Sequence, residues 1–201
     1  MTNGHAHEDG RTHEDARADE QAAAVSRLEE AIHDLTRAIE RDPDDADAYY
    51  RRGVTYGQMA APLEALRDFN HVVRLRPESA EAYYNRGMAH TSLHQPLQAI
   101  DDYTRAVELD PGHRDAHNNR AASYIELRRA DEALPDLARA LEIDPESASA
   151  YALRSMAHAL LGNDAQSRED KRRAVALGFD ANALEYLVLR AQQQRAPDRG
   201  V

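Results

Sequence analysis

Val25, Leu28, Ala31, Ile32, Leu35, Ala38 and Ile39 follow one another at steps of three and four, the spacing of one face of an α-helix, and lead to Pro43. The same kind of run recurs along the chain. Pro43, Pro77, Pro111 and Pro145 stand 34 residues apart, and between them small, aromatic and charged residues return at matching positions. The first copy reads Tyr49, Arg52, Gly53, Tyr56, Ala65, Phe69 and Pro77; the second reads Tyr83, Arg86, Gly87, His90, Ala99, Tyr103 and Pro111. The third is His117, Arg120, Ala121, Tyr124, Ala133, Leu137 and Pro145, and a fourth begins Tyr151, Arg154, Ser155, His158 and Ser167, with Phe179 where the proline would fall. A period of this length predicts a repeat array in which each unit buries its apolar face only by stacking on a neighbour.

Each unit reads as a helix–turn–helix. Gly53, Gly87, Ala121 and Ser155 are the small residues of a first helix, and Ala65, Ala99, Ala133 and Ser167 those of a second, so the two backbones can approach closely. Pro62 and Pro96 sit where second helices should begin, a position at which proline loses no internal hydrogen bond. Pro135 lies about a turn inside its helix and predicts a kink or a late start. Asp44-Asp45 and Glu146-Ser147 supply caps and negative charge for the following helices.

These residues resemble the tetratricopeptide repeat (TPR), whose aromatic, Gly, Tyr, Ala, Phe and Pro positions fall at these spacings. The resemblance spans roughly residues 20 to 195. It implies an all-α fold, a right-handed α-α superhelix of about four full repeats with an N-terminal half repeat and a C-terminal capping helix. The corresponding divisions are a polar tail over 1–19, a half repeat over 20–45, repeats over 46–79, 80–113 and 114–147, a degenerate repeat over 148–180, a cap over 181–195 and a tail over 196–201. Asp15, Ala18, Asp19 and Ala22 cannot make a first helix of this kind, so the array should open on a lone helix, with residues 1 to about 18 mobile. Leu184, Tyr186, Leu187 and Leu189, before a run of glutamines, fit the polar-ended cap a solenoid requires.

One charge pattern repeats as faithfully as the prolines. Arg52, Arg86, Arg120 and Arg154 on first helices accompany Asp34, Asp68, Asp102, Asp136 and Asp170 on second helices. Because every copy has them, the reading favoured is a structural Arg-Asp ladder that fixes register, not a ligand site. The sequence leaves open whether pairs form within or between repeats.

Function is expected where the repeats differ. The resemblance places a binding groove on the concave side of the first helices, with Asp47, Tyr50, Arg51 and Val54, then Glu81, Tyr84, Asn85 and Met88, then Asn118 and Asn119, then Leu153 and Met156 as its lining. Asn85 and Asn119 occupy equivalent positions, similar to the asparagine ladder with which O-linked N-acetylglucosamine transferases hold a peptide backbone. Leu153, Met156 and Leu160 either lie under the cap or form an anchor pocket. The co-chaperone type of clamp for a terminal carboxylate is a poor match, because Asp47, Glu81 and Asp115 stand where cations would be needed. A neutral or basic segment of another protein is the expected partner.

Charge narrows the remaining classes. A net charge of −11 opposes nucleic-acid binding, which needs a basic stripe. No apolar run is long enough to span a membrane, and the polar start Met1 to Glu20 lacks a signal-peptide core, which leads to an expected cytoplasmic location. With no cysteine, thiolate metal sites are excluded. His5, His7 and His13 offer an alternative function, a metal-responsive or metal-buffering tail, and His90 with His94 and His113 with His117 show a four-residue spacing. His90 and His158 also fall where Tyr56 and Tyr124 fall, so packed substitutes for an aromatic ring are the favoured reading, and no specific metal site is expected. No phosphate-cradling Gly-Lys loop, Gly-x-Ser-x-Gly elbow or His-Glu-x-x-His is present. The expected protein is a non-enzymatic adaptor without a cofactor.

Overall fold

The computed structural model describes residues 13–194, and among them it contains ten helices and no strand. In chain order these are α1 (His13–Arg41), α2 (Ala46–Gln58), α3 (Pro62–Leu75), α4 (Ala80–Ser92), α5 (Pro96–Leu109), α6 (Arg114–Glu126), α7 (Ala130–Ile143), α8 (Ala148–Leu160), α9 (Asp164–Ala176) and α10 (Ala181–Gln194). The metal-tail alternative rests on His5 and His7, which lie outside the described residues, and on His13, which opens α1. That helix starts within the segment expected to be mobile. No proline or glycine interrupts residues 13–41 and alanines fill 22–24, so the sequence offers no break within that helix.

The first helices α2, α4, α6 and α8 are capped by side chains. Asp45, Ser79 and Ser147 accept from the backbone N–H three residues on, and His113 does the same through Nδ1 toward Ala116. The second helices α3, α5, α7 and α9 have no such cap. Their starts are set by a tight reversal: Ala61, Gln95, Arg129 and Asn163 each donate their N–H to the carbonyl five residues back. That turn forces the preceding residue into the left-handed region. Only the last copy uses glycine there, Gly162 at φ 78°, while Ala60, His94 and Arg128 stand at 53°, 55° and 60°. His94→Gly is therefore expected to raise stability by about 0.5–1 kcal/mol, seen as a higher urea midpoint. A lower midpoint would show that the turn is unstrained.

Pro62 and Pro96 open α3 and α5 as the sequence predicts. Pro135 does not delay its helix: α7 begins at Ala130, with Asp131 and Glu132 in its first turn favouring the helix start. Inside the helix proline cannot donate a backbone hydrogen bond to the carbonyl of Asp131, and its ring crowds that carbonyl.

Successive helices pack in chain order, each hairpin on the next. Phe69, Tyr103 and Leu137 fill equivalent positions with at most 3% exposure, and small residues face them across the hairpin. At Gly87 the fit is closest, since a Cβ would lie 2.7 Å from the Tyr103 ring. First helices also touch one another, α2 with α4 and α6 with α8, whereas no comparable contact joins second helices among the described residues. The first helices thus form the inner layer and the second helices the outer one. At the C-terminal end α10 lies on α8, burying Leu184, Val188 and Ala191 against Ala152, Ala159 and Ala174. Val188 and Ala191 complete that seat, whereas Tyr186 and Leu189, expected among its apolar residues, point outward at 64% and 47% exposure.

Candidate functional site

The inner layer is braced by ion pairs before it offers any surface. Arg52 meets Asp68, Arg86 meets Asp102, Arg120 meets Asp136 and Arg154 meets Asp170, each within its own hairpin through two guanidinium nitrogens at 2.6–2.9 Å. The four carboxylates are buried. The third guanidinium nitrogen reaches backward: Arg52 Nη1 donates to Thr36 Oγ1, Arg86 Nη1 to Asn70 Oδ1 and Arg120 Nη1 to Thr104 Oγ1, all on the preceding second helix. One arginine thereby fixes a hairpin and ties it to its neighbour. The Asp102 hydrogen bond holds the Arg86 guanidinium above its ordinary range, against the opposing pull of burial.

Asp34 is not a rung. It is exposed and forms no ion pair among the described residues, because the arginine position 16 residues earlier is occupied by Ala18.

His90, His113 and His117 serve packing and a cap. His117 Nδ1 lies 2.8 Å from Asp136 in a buried contact, His90 Nδ1 lies 2.7 Å from Gln95 Oε1, and His113 caps α6. His94 sits in the turn, and His113 precedes the first turn of α6, so neither four-residue pair shares a helix face. Burial pushes the His158 imidazole below its ordinary value, with the Asp170 charge opposing that shift. Among the described residues no three His, Asp or Glu side chains are grouped to hold a metal.

The expected groove residues behave differently along the inner layer. Asp47 is exposed and bonded through both oxygens to Arg76, whose hydrogen bonds hold its carboxyl below the usual range. Arg51 is exposed. Asn85 Nδ2 donates to the Tyr50 hydroxyl at 3.1 Å and Asn119 Nδ2 to the Tyr84 hydroxyl at 3.4 Å, so each amide ties one repeat to the last. Burial, more than the Glu81 charge, raises the Tyr50 hydroxyl pKa, and burial does the same for Tyr84. Asn118 is only 7% exposed, donates to Ser149 Oγ and leaves its Oδ1 without a partner, which removes it from the open surface. Leu153 packs against the third hairpin's core, and Met156 and Leu160 pack against the cluster beneath α10. The cap therefore covers part of the apolar end.

Between α2, α3 and α4 the inner face opens into a crevice of about 520 Å³. Its walls are Val54, Pro62, Ala65, Phe69, Met88 and Ala89, with Gln58, Asn85 and Ser92 as the polar lining. Two substitutions along the repeat account for it. Gly57 contributes no side chain where Thr91, Ile125 and Ala159 stand in later repeats, and Phe69 carries no hydroxyl where Tyr103 does. One repeat on, Thr91 Oγ1 and the Tyr103 hydroxyl bond at 3.0 Å across that space, and Ile125 is buried in the third hairpin. Val54, Asn85 and Met88 were legible in the sequence as inner-face residues, but the crevice they border was not. The available signal was the lone glycine among larger residues at one repeat position.

Matches to the tetratricopeptide repeat cover residues 46–79, 80–113 and 114–147, and a further TPR repeat match covers 26–59. The chain belongs to the tetratricopeptide repeat family. No sequence relative was found among curated proteins. Among solved structures, this TPR chain is similar to YrrB, described as a TPR protein with an unusual peptide-binding site, at 28% identity and a TM-score of 0.71 over 87% of this chain and 88% of that one. MamA is similar in fold at 23% identity and a TM-score of 0.73, over 83% and 95% of the two chains. TTC0263, a thermophilic TPR protein of Thermus thermophilus, is similar in fold at 19% identity and a TM-score of 0.61, over 88% and 96%. The TPR architecture is that of a protein–protein interaction scaffold, and among the described residues no helix is long and apolar enough to cross a membrane.

Proposed function

We propose that the chain is a non-enzymatic, cytoplasmic adaptor whose inner face, from α2 to α6, holds a neutral or basic segment of a partner protein. The observation that carries this reading is the contrast between constant and variable positions. Core and brace residues repeat, while the inner face changes from Tyr50, Arg51 and Val54 to Tyr84, Asn85 and Met88 and then to Asn119 and Ala122. Half-buried tyrosines add contact area at low entropic cost, and the Oδ1 atoms of Asn85 and Asn119 can accept from a peptide N–H while their Nδ2 atoms hold the tyrosines. The exposed carboxylates Glu81 and Glu126 disfavour an acidic segment. YrrB, described as having a peptide-binding site, gives the reading a precedent in the same architecture.

The test compares two double variants in capture from the native cell lysate. Asn85→Ala with Asn119→Ala is expected to reduce capture about tenfold. The thermal midpoint should fall only slightly, since each change removes one neutral hydrogen bond at the edge of the inner face. Glu108→Ala with Glu142→Ala, on α5 and α7 and, among the described residues, in ion pairs with Arg105 and Arg139, should leave capture unchanged. Loss of capture by the second pair and retention by the first would move binding to the outer face.

A further inference from the structure

We infer that the crevice at Gly57 is a specificity pocket that takes one bulky apolar side chain, of leucine or phenylalanine size, from a neutral or basic segment of the partner protein. The inference rests on the inner-face reading above and adds what that face selects. Gly57 lies in the last turn of α2 with a helical backbone, where glycine is unfavourable relative to alanine. Nothing lies within 4 Å of where its Cβ would stand, so no close approach requires a glycine there. This separates it from Gly53 and Gly87, whose missing Cβ atoms make room for the Phe69 and Tyr103 rings. What the absent side chain at Gly57 does is leave the crevice open.

The chemistry of the walls identifies the occupant. Val54, Pro62, Ala65, Phe69, Met88 and Ala89 offer no charge, and Met88 remains 43% exposed, so an apolar group entering there removes apolar surface from water on both sides. Gln58, Asn85 and Ser92 add amide and hydroxyl groups suited to the peptide backbone on either side of the anchor. The crevice itself holds no carboxylate; along the rest of the inner face the carboxylates exceed the cations that offset them, with Asp47, Glu81 and Asp115 in the first turns of α2, α4 and α6, at the opposite helix ends from Gly57 and Met88. Asp47 is paired with Arg76 and lies near Arg51, and Asp115 is paired with Arg114, whereas Glu126 forms no ion pair among the described residues and Glu81 has only the His113 imidazole 3.6 Å away. That surplus complements a lysine or arginine several residues from the anchor along the bound segment. The chain's own ends are poor occupants. Residues 1–12 contain Met1 as their one large apolar side chain, and residues 195–201 contain only Val201.

The experiment uses the full chain labelled with ¹³C at the methionine methyls and titrated with N-acetyl-leucine methylamide. The Met88 methyl is expected to shift saturably, with a dissociation constant on the order of millimolar for so small a probe, while Met156 in α8 stays unmoved. N-acetyl-alanine methylamide, which has three fewer carbons to bury, should bind at least about tenfold more weakly. Gly57→Ile, which places at this position the residue found at Ile125, should abolish the Met88 response and reduce lysate capture about tenfold. An unchanged Met156 methyl in that variant would show that the fold is kept.

Equal responses to the leucine and alanine probes, no response at Met88, or normal capture by Gly57→Ile would each overturn the inference. A Met88 shift on dilution of the protein alone would overturn it in favour of a second copy of the chain as occupant. If the pocket fails and the Asn85/Asn119 variant still loses capture, the inner-face reading stands without the pocket. If that variant also captures normally, the inner-face reading fails with it.

Discussion

Asp102→Ala is expected to lower the unfolding free energy by about 2–4 kcal/mol, while Asp34→Ala, at the same position of the repeat pattern, should change it by less than about 0.5 kcal/mol. The two aspartates differ only in what surrounds them. Asp102 has a side chain 5% exposed and accepts from both Nε and Nη2 of Arg86, whose own side chain is 22% exposed. Removing the carboxylate leaves a guanidinium largely out of water with its remaining bond to Asn70, which belongs to the preceding hairpin. The loss thus weakens a hairpin and its junction together. Replacing both partners, Arg86→Met with Asp102→Leu, should recover much of it, because two apolar groups need no compensating charge. Urea midpoints of these variants and the parent chain decide the matter. Coincident midpoints for Asp102→Ala and Asp34→Ala would show that the pairs decorate the hairpins without holding them.

The repeat phase, the helix class and the ladder arginines were readable because a period repeated four times averages away local ambiguity. Pro62 and Pro96 open their helices because a proline at a first helical position sacrifices no bond. The direction of each Arg-Asp pair was not readable, since Arg86 lies between Asp68 on the preceding second helix and Asp102 on the following one, and a one-dimensional period treats those neighbours alike. The same limit hid the fate of Asn118. Its repeat position is held by Tyr50 and Tyr84 in earlier copies, yet at Asn118 the side chain turns to Ser149 on α8 and is buried. The long α1 was missed for another reason. Family resemblance fixed the half repeat at residue 20, whereas the unbroken, alanine-rich segment around it obeys helix propensity alone. At the crevice the resemblance drew attention to residues present on the inner face, and the decisive feature is a side chain that is absent.

Two glycines in equivalent helices are expected to respond to the same substitution with opposite signs. Gly87→Ala should destabilise the chain by about 1–3 kcal/mol, the range for overfilling a well-packed core, even though alanine is the better helix former. Its Cβ would stand 2.7 Å from Cε1 and 2.9 Å from Cδ1 of Tyr103. That ring cannot easily yield: Tyr103 is wholly buried, its hydroxyl is bonded to Thr91, and burial pushes its pKa up to about 12. Gly57→Ala meets nothing within 4 Å and should gain up to about 1 kcal/mol from helix propensity. Thermal midpoints of the two variants, measured side by side, test the packing account directly. If Gly87→Ala proves neutral, the hairpin accommodates a methyl group by opening, and close backbone approach is not what sets the spacing of α4 and α5. If Gly57→Ala destabilises instead, that glycine serves the scaffold, and an open crevice is no longer the reason for its presence.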